Sequence, residues 1–326
     1  MRRIGLAVVL ALGLSLLAVP TMVEAQSPAR MWRVGWLEVC GPGPQRPHFD
    51  IFRVRLAEQG YIEGKNLTLE QRFADCRYDR MPGLATDLVQ VPVDVLFTMG
   101  TRASRIVAAA VKSTPLVVYS CDPFAHVTRL ARPDGNLTGV TCMTTELSPK
   151  RLELLKEAIP KISRMMFLHD PEAAPNALKL TEEAAPRLGI RLQSAQVGTA
   201  DELLPELTMI AKEHPDALFV YPDVVLSSYP RPRQIAEFAI KAHLPTMHAF
   251  RFYVDAGGLM SYGATQSEIY TMAAEQVAKI LDGARPSELP LRQATRFELA
   301  INLKTAKALG LKIPQTLLMR ADQIIE

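Results

Sequence analysis

The sequence predicts an α/β protein with two Rossmann-like lobes, each built on a mainly parallel sheet that helices cover on both faces. Short apolar strands alternate with helical segments, and near-continuous apolar strands are typical of such sheets. The alternation restarts near residue 149 as a second series of similar build. The 326 residues are 48% hydrophobic and 22% charged, an ordinary globular composition, and the length suggests about two domains.

The first series contains four strands that lead up to residue 121. We predict these strands at 32–39, 66–73, 94–100 and 115–120. The intervening helices are predicted at 48–59, 79–91 and 101–111, and a fifth strand ends at Cys142. The apolar runs at 94–100 and 115–120 are short and end at Gly or Ser, which favours buried strands over helices.

The second series begins with a helix at 149–158 and alternates again. Its strands are predicted at 164–169, 190–197, 217–221, 245–248, 257–263 and 296–302, and its helices at 175–188, 201–214, 233–243, 267–282 and 303–309. We expect the chain to cross between the lobes near residues 121–142 and 262–265. The predicted first lobe comprises 31–121 with about 264–290, and the second comprises 122–263 with about 291–326.

The first 25 residues are typical of an export signal. Arg2 and Arg3 precede an uncharged apolar run at 4–19, Pro20 ends it, and Ala25 occupies the position before a cleavage site. An uncleaved membrane anchor is the alternative, although the run is shorter than the roughly 20 residues that a bilayer core requires. We therefore expect a soluble protein in the periplasm.

The four cysteines permit three pairings. Cys40 and Cys76 follow neighbouring predicted strands, as do Cys121 and Cys142, so we expect the disulfides Cys40–Cys76 and Cys121–Cys142. Four buried thiols are the alternative. No pair has the CxxC spacing of redox or zinc motifs, and the histidines form no HxH or HExxH pattern, so no metal site is predicted.

Charge and motifs exclude several classes of function. Lys and Arg total 37 against 34 Asp and Glu, and no basic stripe of the kind that binds nucleic acid is visible. The sequence contains neither GxSxG nor GxxxxGK[ST]. Gly41-Pro-Gly43 begins like a dinucleotide-binding loop but lacks the third glycine, so no cofactor is expected.

Polar and aromatic residues cluster at the carboxyl ends of the predicted strands, which is where open parallel sheets bind ligands. The candidate ligand-binding residues are Glu38, Gly100, Thr101, Arg102, Ser120, Asp122, Tyr221, Asp223, Phe250 and Tyr262. Because Thr101, Arg102 and Ser104 gather at one predicted helix N-terminus, a ligand carboxylate is expected there.

Each candidate also has a structural alternative. Thr101 could simply cap the helix, Arg102 could be a solvated surface side chain, and Asp122 could either accept a ligand ammonium or organise the turn before Pro123. The aromatic candidates could be ordinary core residues.

Several segments resemble a known family. They include FRVRLAEQGYIEGKNLTLEQRFA at 52–74, LARPDGNLTGVT at 130–141, GGLMSYG at 257–263, KILDGARPSELP at 279–290 and FELAINLKTAKALGLKIPQTLLMRAD at 297–322. In order and over nearly all of the chain after the signal, these segments resemble the extracytoplasmic solute-binding proteins of ABC transporters, some of which take aromatic amino acids. Asp134 stands where that family usually has Gly.

The resemblance implies a periplasmic binding protein type I-like fold whose lobes close about a hinge. It also implies a small-molecule ligand, an inner-membrane permease as partner, no nucleic acid, no catalysis and a monomer. Two alternatives remain: a binding module of the same fold that feeds a membrane receptor, and a secreted enzyme on the same scaffold.

Overall fold

The computed structural model describes residues 30–41, 47–122, 130–131, 133 and 135–326. Residues Met31–Glu326 form one compact unit. The predicted export signal, residues 1–25, lies outside the described residues.

Six parallel strands form the first sheet, in the order β11-β5-β4-β3-β1-β2. They are β1 Trp32–Glu38, β2 Leu67–Phe73, β3 Val95–Met99, β4 Leu116–Ser120, β5 Leu137–Thr141 and β11 Arg292–Gln293. Every residue of β3, β4 and β5 is buried, because helices cover both faces of the sheet.

Four helices pack on this sheet. They are α1 Pro47–Glu58, α2 Met81–Gln90, α3 Thr101–Ala110 and α10 Gln266–Leu281, with a short 3₁₀ turn at Tyr78–Arg80. Phe52 of α1 and Phe97 of β3 pack on the buried Trp36, with ring centroids 5.1 and 4.7 Å away. Helix α10 comes from the far end of the chain and packs against α1 and β3–β5.

The second sheet has seven strands in the order β13-β12-β10-β9-β8-β6-β7, and only β10 and β12 pair antiparallel among its described strands. The strands are β6 Arg164–His169, β7 Arg191–Gln196, β8 Ala217–Val220, β9 Thr246–His248, β10 Met260–Ala264, β12 Phe297–Asn302 and β13 Gln323–Ile325. Its helices are α4 Ser148–Ala158, α5 Pro175–Ala184, α6 Leu203–Glu213, α7 Val224–Ser227, α8 Arg231–Lys241, α9 Arg251–Asp255, α11 Leu303–Ala308 and α12 Gln315–Leu318. Short 3₁₀ turns occupy Ala185–Leu188, Ala200–Glu202 and Pro286–Glu288.

The predicted fold class, two mostly parallel α/β sheets in sequence, is confirmed. The chain passes between the sheets after β5, after β10 and after β11. Strands β5 and β11 belong to the first sheet, although the predicted lobe boundaries placed both in the second lobe. Helices α7 and α9 were not predicted because four or five residues are too few to show a helical period.

The predicted disulfide Cys40–Cys76 is present, with an S–S distance of 2.12 Å. The prediction of a second bridge is wrong, because Cys121 and Cys142 are buried free cysteines. Pairing of β4 with β5 does bring them together, but their sulfurs lie 2.8 Å apart, which exceeds the roughly 2.05 Å of a disulfide bond. The Cys142 thiol also lies 3.0 Å from Thr144 Oγ1.

We expect removal of the Cys40–Cys76 bridge to destabilise the protein substantially. The bridge joins residues 36 apart in sequence, and closing a loop of that length stabilises a fold by about 4 kcal/mol in the chain-entropy model. Urea unfolding of the double variant Cys40→Ser/Cys76→Ser, compared with the oxidised wild type, measures the difference. A change below about 1 kcal/mol would contradict this expectation.

Candidate functional site

A cavity of about 780 Å³ lies between the carboxyl edges of the two sheets and is lined by residues of both. In the first sheet it borders the ends of β1 and β3, between which the strand order reverses direction. In the second sheet it borders the segment that follows β8, at the corresponding reversal between β6 and β8. Such switch points leave a crevice between diverging helices, where α/β proteins bind their ligands.

Glu38 provides a buried carboxylate on the first-sheet wall. Its side chain accepts a hydrogen bond of 3.0 Å from Trp36 Nε1, and the residue is 6% exposed. His48, in the first turn of α1, stacks on Trp36 with centroids 6.2 Å apart, and its Nε2 lies 3.7 Å from Glu38 Oε1. Packing against the indole therefore holds both polar groups at the cavity wall.

Gly100 brings the two walls into contact. It caps α3 with a φ of +95°, and a Cβ built at this position would lie 2.3 Å from Val224 Cγ2 of the second-sheet wall. Thr101 follows it, and its Oγ1 accepts hydrogen bonds from the Asp122 backbone N–H at 3.1 Å and the Ser120 hydroxyl at 3.2 Å. The Thr101 hydroxyl thus joins the ends of β3 and β4.

Asp223 provides the buried carboxylate of the second-sheet wall. It caps α7, because its Oδ1 accepts hydrogen bonds from the backbone N–H groups of Val225 at 2.6 Å and Leu226 at 3.1 Å. Its Oδ2 is buried without a hydrogen-bond partner among the described residues. Burial, and secondarily the nearby Asp170 carboxylate, raise the Asp223 pKa to about 7, while the Arg231 guanidinium opposes the shift.

This pKa predicts a pH dependence of stability. The folded value of about 7 lies above the ordinary value of 3.8, so the folded state holds the proton more tightly than the unfolded chain does. The Asp223 contribution to the free energy of unfolding should therefore fall between about pH 4 and pH 7 and then stay level. Asp223→Asn keeps the cap oxygen, and we expect it to remove this decline and raise Tm at pH 8. Parallel Tm profiles of variant and wild type would contradict the assignment.

Aromatic rings form much of the remaining wall. Among the described residues, those lining the cavity belong to Tyr78, Tyr119, Tyr229, Phe250, Phe252 and Tyr270. Phe250 and Phe252 stack with centroids 5.7 Å apart, and Tyr119 and Tyr270 meet edge to face at 5.7 Å. Phe250 is among the ten ligand-binding candidates, and Phe252 lies near the same predicted crossing. Tyr119 and Tyr270 lie in a strand and a helix, where an aromatic side chain is usually explained by core packing.

Half of the ten predicted ligand-binding residues line the cavity, and half do not. Those lining it are Glu38, Gly100, Thr101, Asp223 and Phe250. Those outside the lining are Arg102, Ser120, Asp122, Tyr221 and Tyr262. Cys121 and His48 also line it, although neither was a candidate for the ligand site. Contact of any of these residues with a ligand stays a prediction.

The residues outside the lining are engaged elsewhere. Asp122 accepts hydrogen bonds of 2.9 and 3.1 Å from Asn176 Nδ2 of α5, and Tyr221 Oη pairs with Thr145 Oγ1 at 2.9 Å. Ser120 is fully buried. Tyr262 packs against Phe297 with centroids 6.3 Å apart.

Arg102 links the two sheets. From α3 its guanidinium reaches Glu172 Oε1 at 2.7 Å, Asp170 Oδ2 at 3.3 Å and the Gly198 carbonyl at 3.2 Å, in the segments that follow β6 and β7. It also lies 4.1 Å above the Tyr78 ring. We call Arg102 with Asp170, Glu172 and Gly198 the Arg102 latch. The side chain that the sequence assigned to a ligand carboxylate is occupied by protein carboxylates.

The described residues contain neither a metal-binding cluster nor a membrane-spanning helix. In the described part of the chain, no three or more His, Cys, Asp or Glu side chains form a group that could hold a metal ion. In the same part of the chain, no helix is both long and apolar enough to cross a bilayer.

Two α/β sheets with a cavity between their carboxyl edges define the periplasmic binding protein type I-like fold. The chain belongs to the ABC transporter substrate binding protein family, whose model matches residues 50–325. The predicted family is thereby confirmed. A comparison with curated protein sequences gives no match.

Solved structures show the same fold. A conserved domain protein from Vibrio cholerae is 26% identical, with a TM-score of 0.83 over 90% of this chain and 100% of that chain. The ABC domain from Streptococcus pneumoniae, solved in complex with L-Trp, is 22% identical, with a TM-score of 0.80 over 90% and 100%. The ligand-free, open structure of CD0873, a substrate binding protein with adhesive properties from Clostridium difficile, is 21% identical, with a TM-score of 0.60 over 90% and 99%.

Proposed function

We propose that this protein is the periplasmic solute-binding component of an ABC import system and captures a small molecule in the cavity between its two sheets. The observation that carries the proposal is the position of that cavity, which both sheets line at their carboxyl edges. Membership of the substrate-binding family supports it. The volume of about 780 Å³ suits a small-molecule ligand.

Capture proceeds by closure of two lobes, each consisting of one sheet and its helices. The connections after β5, β10 and β11 form the hinge. A ligand that touches both walls favours the closed form, because it gains contacts there that the open form lacks. A dissociation constant of about 1 μM requires only about −8 kcal/mol, which a few hydrogen bonds and an apolar wall supply.

The closed arrangement is the form that a membrane permease recognises, and the ligand leaves chemically unchanged. The expected ligand carboxylate would lack its predicted cationic partner. Arg102, the cationic side chain expected to bind that carboxylate, is held in its latch by Asp170 and Glu172.

Native mass spectrometry of protein purified without refolding tests the capture of a solute. We expect a small molecule that is retained, is recovered unchanged and decreases the radius of gyration in X-ray scattering when it is added back. Loss of its uptake in cells that lack the protein distinguishes transport from sensing, in which uptake would persist. A protein that carries no solute and compacts with no metabolite would contradict the proposal.

A further inference from the structure

Resting on the proposed function, we propose that the ligand is an organic cation, a primary or secondary ammonium group on a flat apolar body, and that Asp223 anchors the ammonium. A cationic ligand contradicts the sequence-based expectation of a carboxylate on the ligand. It depends on the charges, the unpartnered oxygen and the aromatic rings of the cavity wall.

The described part of the cavity wall is acidic. Its charged lining consists of the carboxylates of Glu38, Asp223, Glu237 and Asp255 and the guanidinium of Arg233, with His48 as a further titratable group. Arg233 is 73% exposed and pairs with Glu237 at 2.7 Å. The carboxylates of Glu38 and Asp223 would repel an anionic ligand, whereas both would attract a cation.

Asp223 has an unsatisfied acceptor beside the cavity. The residue is 5% exposed and lines the cavity, and its Oδ2 has no hydrogen-bond partner among the described residues. A buried polar atom without a hydrogen-bond partner is destabilising, and more so when it is charged. Oδ2 is itself shielded from the cavity, so an ammonium N–H would reach it after a rotation of the carboxylate, and would then satisfy this oxygen and compensate the charge.

None of the described charged groups around Asp223 forms a hydrogen bond with its Oδ2. Asp170 belongs to the Arg102 latch. Arg231 donates to the Val225 carbonyl at 3.3 Å and to Cys76 Sγ at 3.6 Å. The neighbouring Tyr78 and Tyr253 are hydroxyl groups whose pKa values burial raises, so they stay neutral at pH 7. Because Asp223 also lines the cavity, a cationic ligand there is the proposed partner of this carboxylate.

The apolar part of the wall suits a flat ligand body. Phe250 and Phe252 stack on the second-sheet side, and Tyr119 and Tyr270 lie on the first-sheet side. Ring faces attract cations as well as flat apolar groups, so they complement an ammonium that is attached to an apolar body.

Matched probes that share a ring and differ in charge test the proposal by calorimetry. The amines are tryptamine and phenethylamine, and the acids are indole-3-propionate and 3-phenylpropionate. We expect the amines to bind at least tenfold more tightly than the acids of the same ring. At pH 7 amine binding should release protons, because the cation favours the ionised Asp223 carboxylate; buffers of different ionisation enthalpy measure this release.

Two variants separate the anchor from general acidity. Asp223→Asn keeps the α7 cap and should weaken amine binding at least tenfold and abolish the proton release. Asp255→Asn removes a carboxylate from the same wall, but that side chain is 49% exposed and pairs with Arg251 at 3.4 Å, so its loss should be under threefold. Asp223→Ser, which also retains a capping oxygen, provides a second anchor variant if Asp223→Asn misfolds.

Amines that fail to bind, acids that bind equally well, or equal effects of Asp223→Asn and Asp255→Asn would overturn the proposal. Compaction in scattering with an acid probe, or an anionic solute retained from cells, would overturn it while leaving the proposed function standing. Absence of any compacting solute, retained or added, would instead count against the proposed function itself.

Discussion

Arg102→Ala should shift the protein to an open form and weaken ligand binding at least tenfold. In this structure, where α3 reaches the segments after β6 and β7, the guanidinium is the counter-charge of Asp170, whose side chain is fully buried. Without Arg102, closure would bury this carboxylate uncompensated, and breaking a buried ion pair in this way costs about 3–5 kcal/mol. Opening would expose Asp170 to water instead.

Scattering should show a larger radius of gyration for Arg102→Ala than for the wild type, and calorimetry should show the weaker binding. Arg105→Ala is the matched control one turn further along α3. Arg105 pairs with Glu172 at 2.5 Å, but the two side chains are 43% and 49% exposed, and such surface pairs contribute about 0–1 kcal/mol. Equal effects of the two substitutions would show that the latch does not control closure.

Gly100→Ala should impair closure by a steric route and reduce affinity at least tenfold. The added methyl group would lie 2.3 Å from Val224 Cγ2, so the two walls could not approach fully. The φ of +95° is also strained for alanine, at a cost of roughly 1–3 kcal/mol that applies in the open and closed forms alike. The first effect lowers affinity, and the second lowers Tm.

Val224→Ala separates the two effects, because it removes the side chain that the new methyl group would meet. The double variant Gly100→Ala/Val224→Ala should recover most of the lost affinity while retaining the lower Tm. Calorimetry and thermal melting of both single variants and the double variant complete the cycle. Affinity that stays low in the double variant would show that Gly100 acts on the ligand directly and not through closure.

Much of the fold was predictable because its signals are local. Apolar runs such as those of β3 and β4 are buried on both faces wherever they pair, and the start of α3 follows the end of β3 directly. Cys40 and Cys76 follow adjacent parallel strands, so their pairing followed from strand order. The same reasoning failed for Cys121 and Cys142, because neighbouring strand ends determine proximity but not the distance between two sulfur atoms.

The candidate site was only partly predictable, because contacts between segments far apart in the sequence decide which side chains line the cavity. Asp223 and Gly100 could be found from their places after β8 and β3, where parallel strands present their carboxyl ends. Tyr270 could not, although the sequence places its helix in the first lobe, because no local signal distinguishes a cavity-facing tyrosine within a long helix from one that packs in the core.

The sequence by itself determined the two mostly parallel sheets, the family and the carboxyl edge at which a ligand is expected. These depend on apolar runs and motifs whose residues lie close together in the chain. Only the tertiary structure decided which polar groups remain available at that edge. Arg102 and Asp122 are used in contacts with Asp170 and Asn176, whereas Asp223 keeps an unpartnered oxygen beside the cavity. The physical reason is that the neighbours of a charged side chain in space decide whether it can bind a ligand. For Arg102 and Asp122 those neighbours are about 50 to 70 residues away in the sequence.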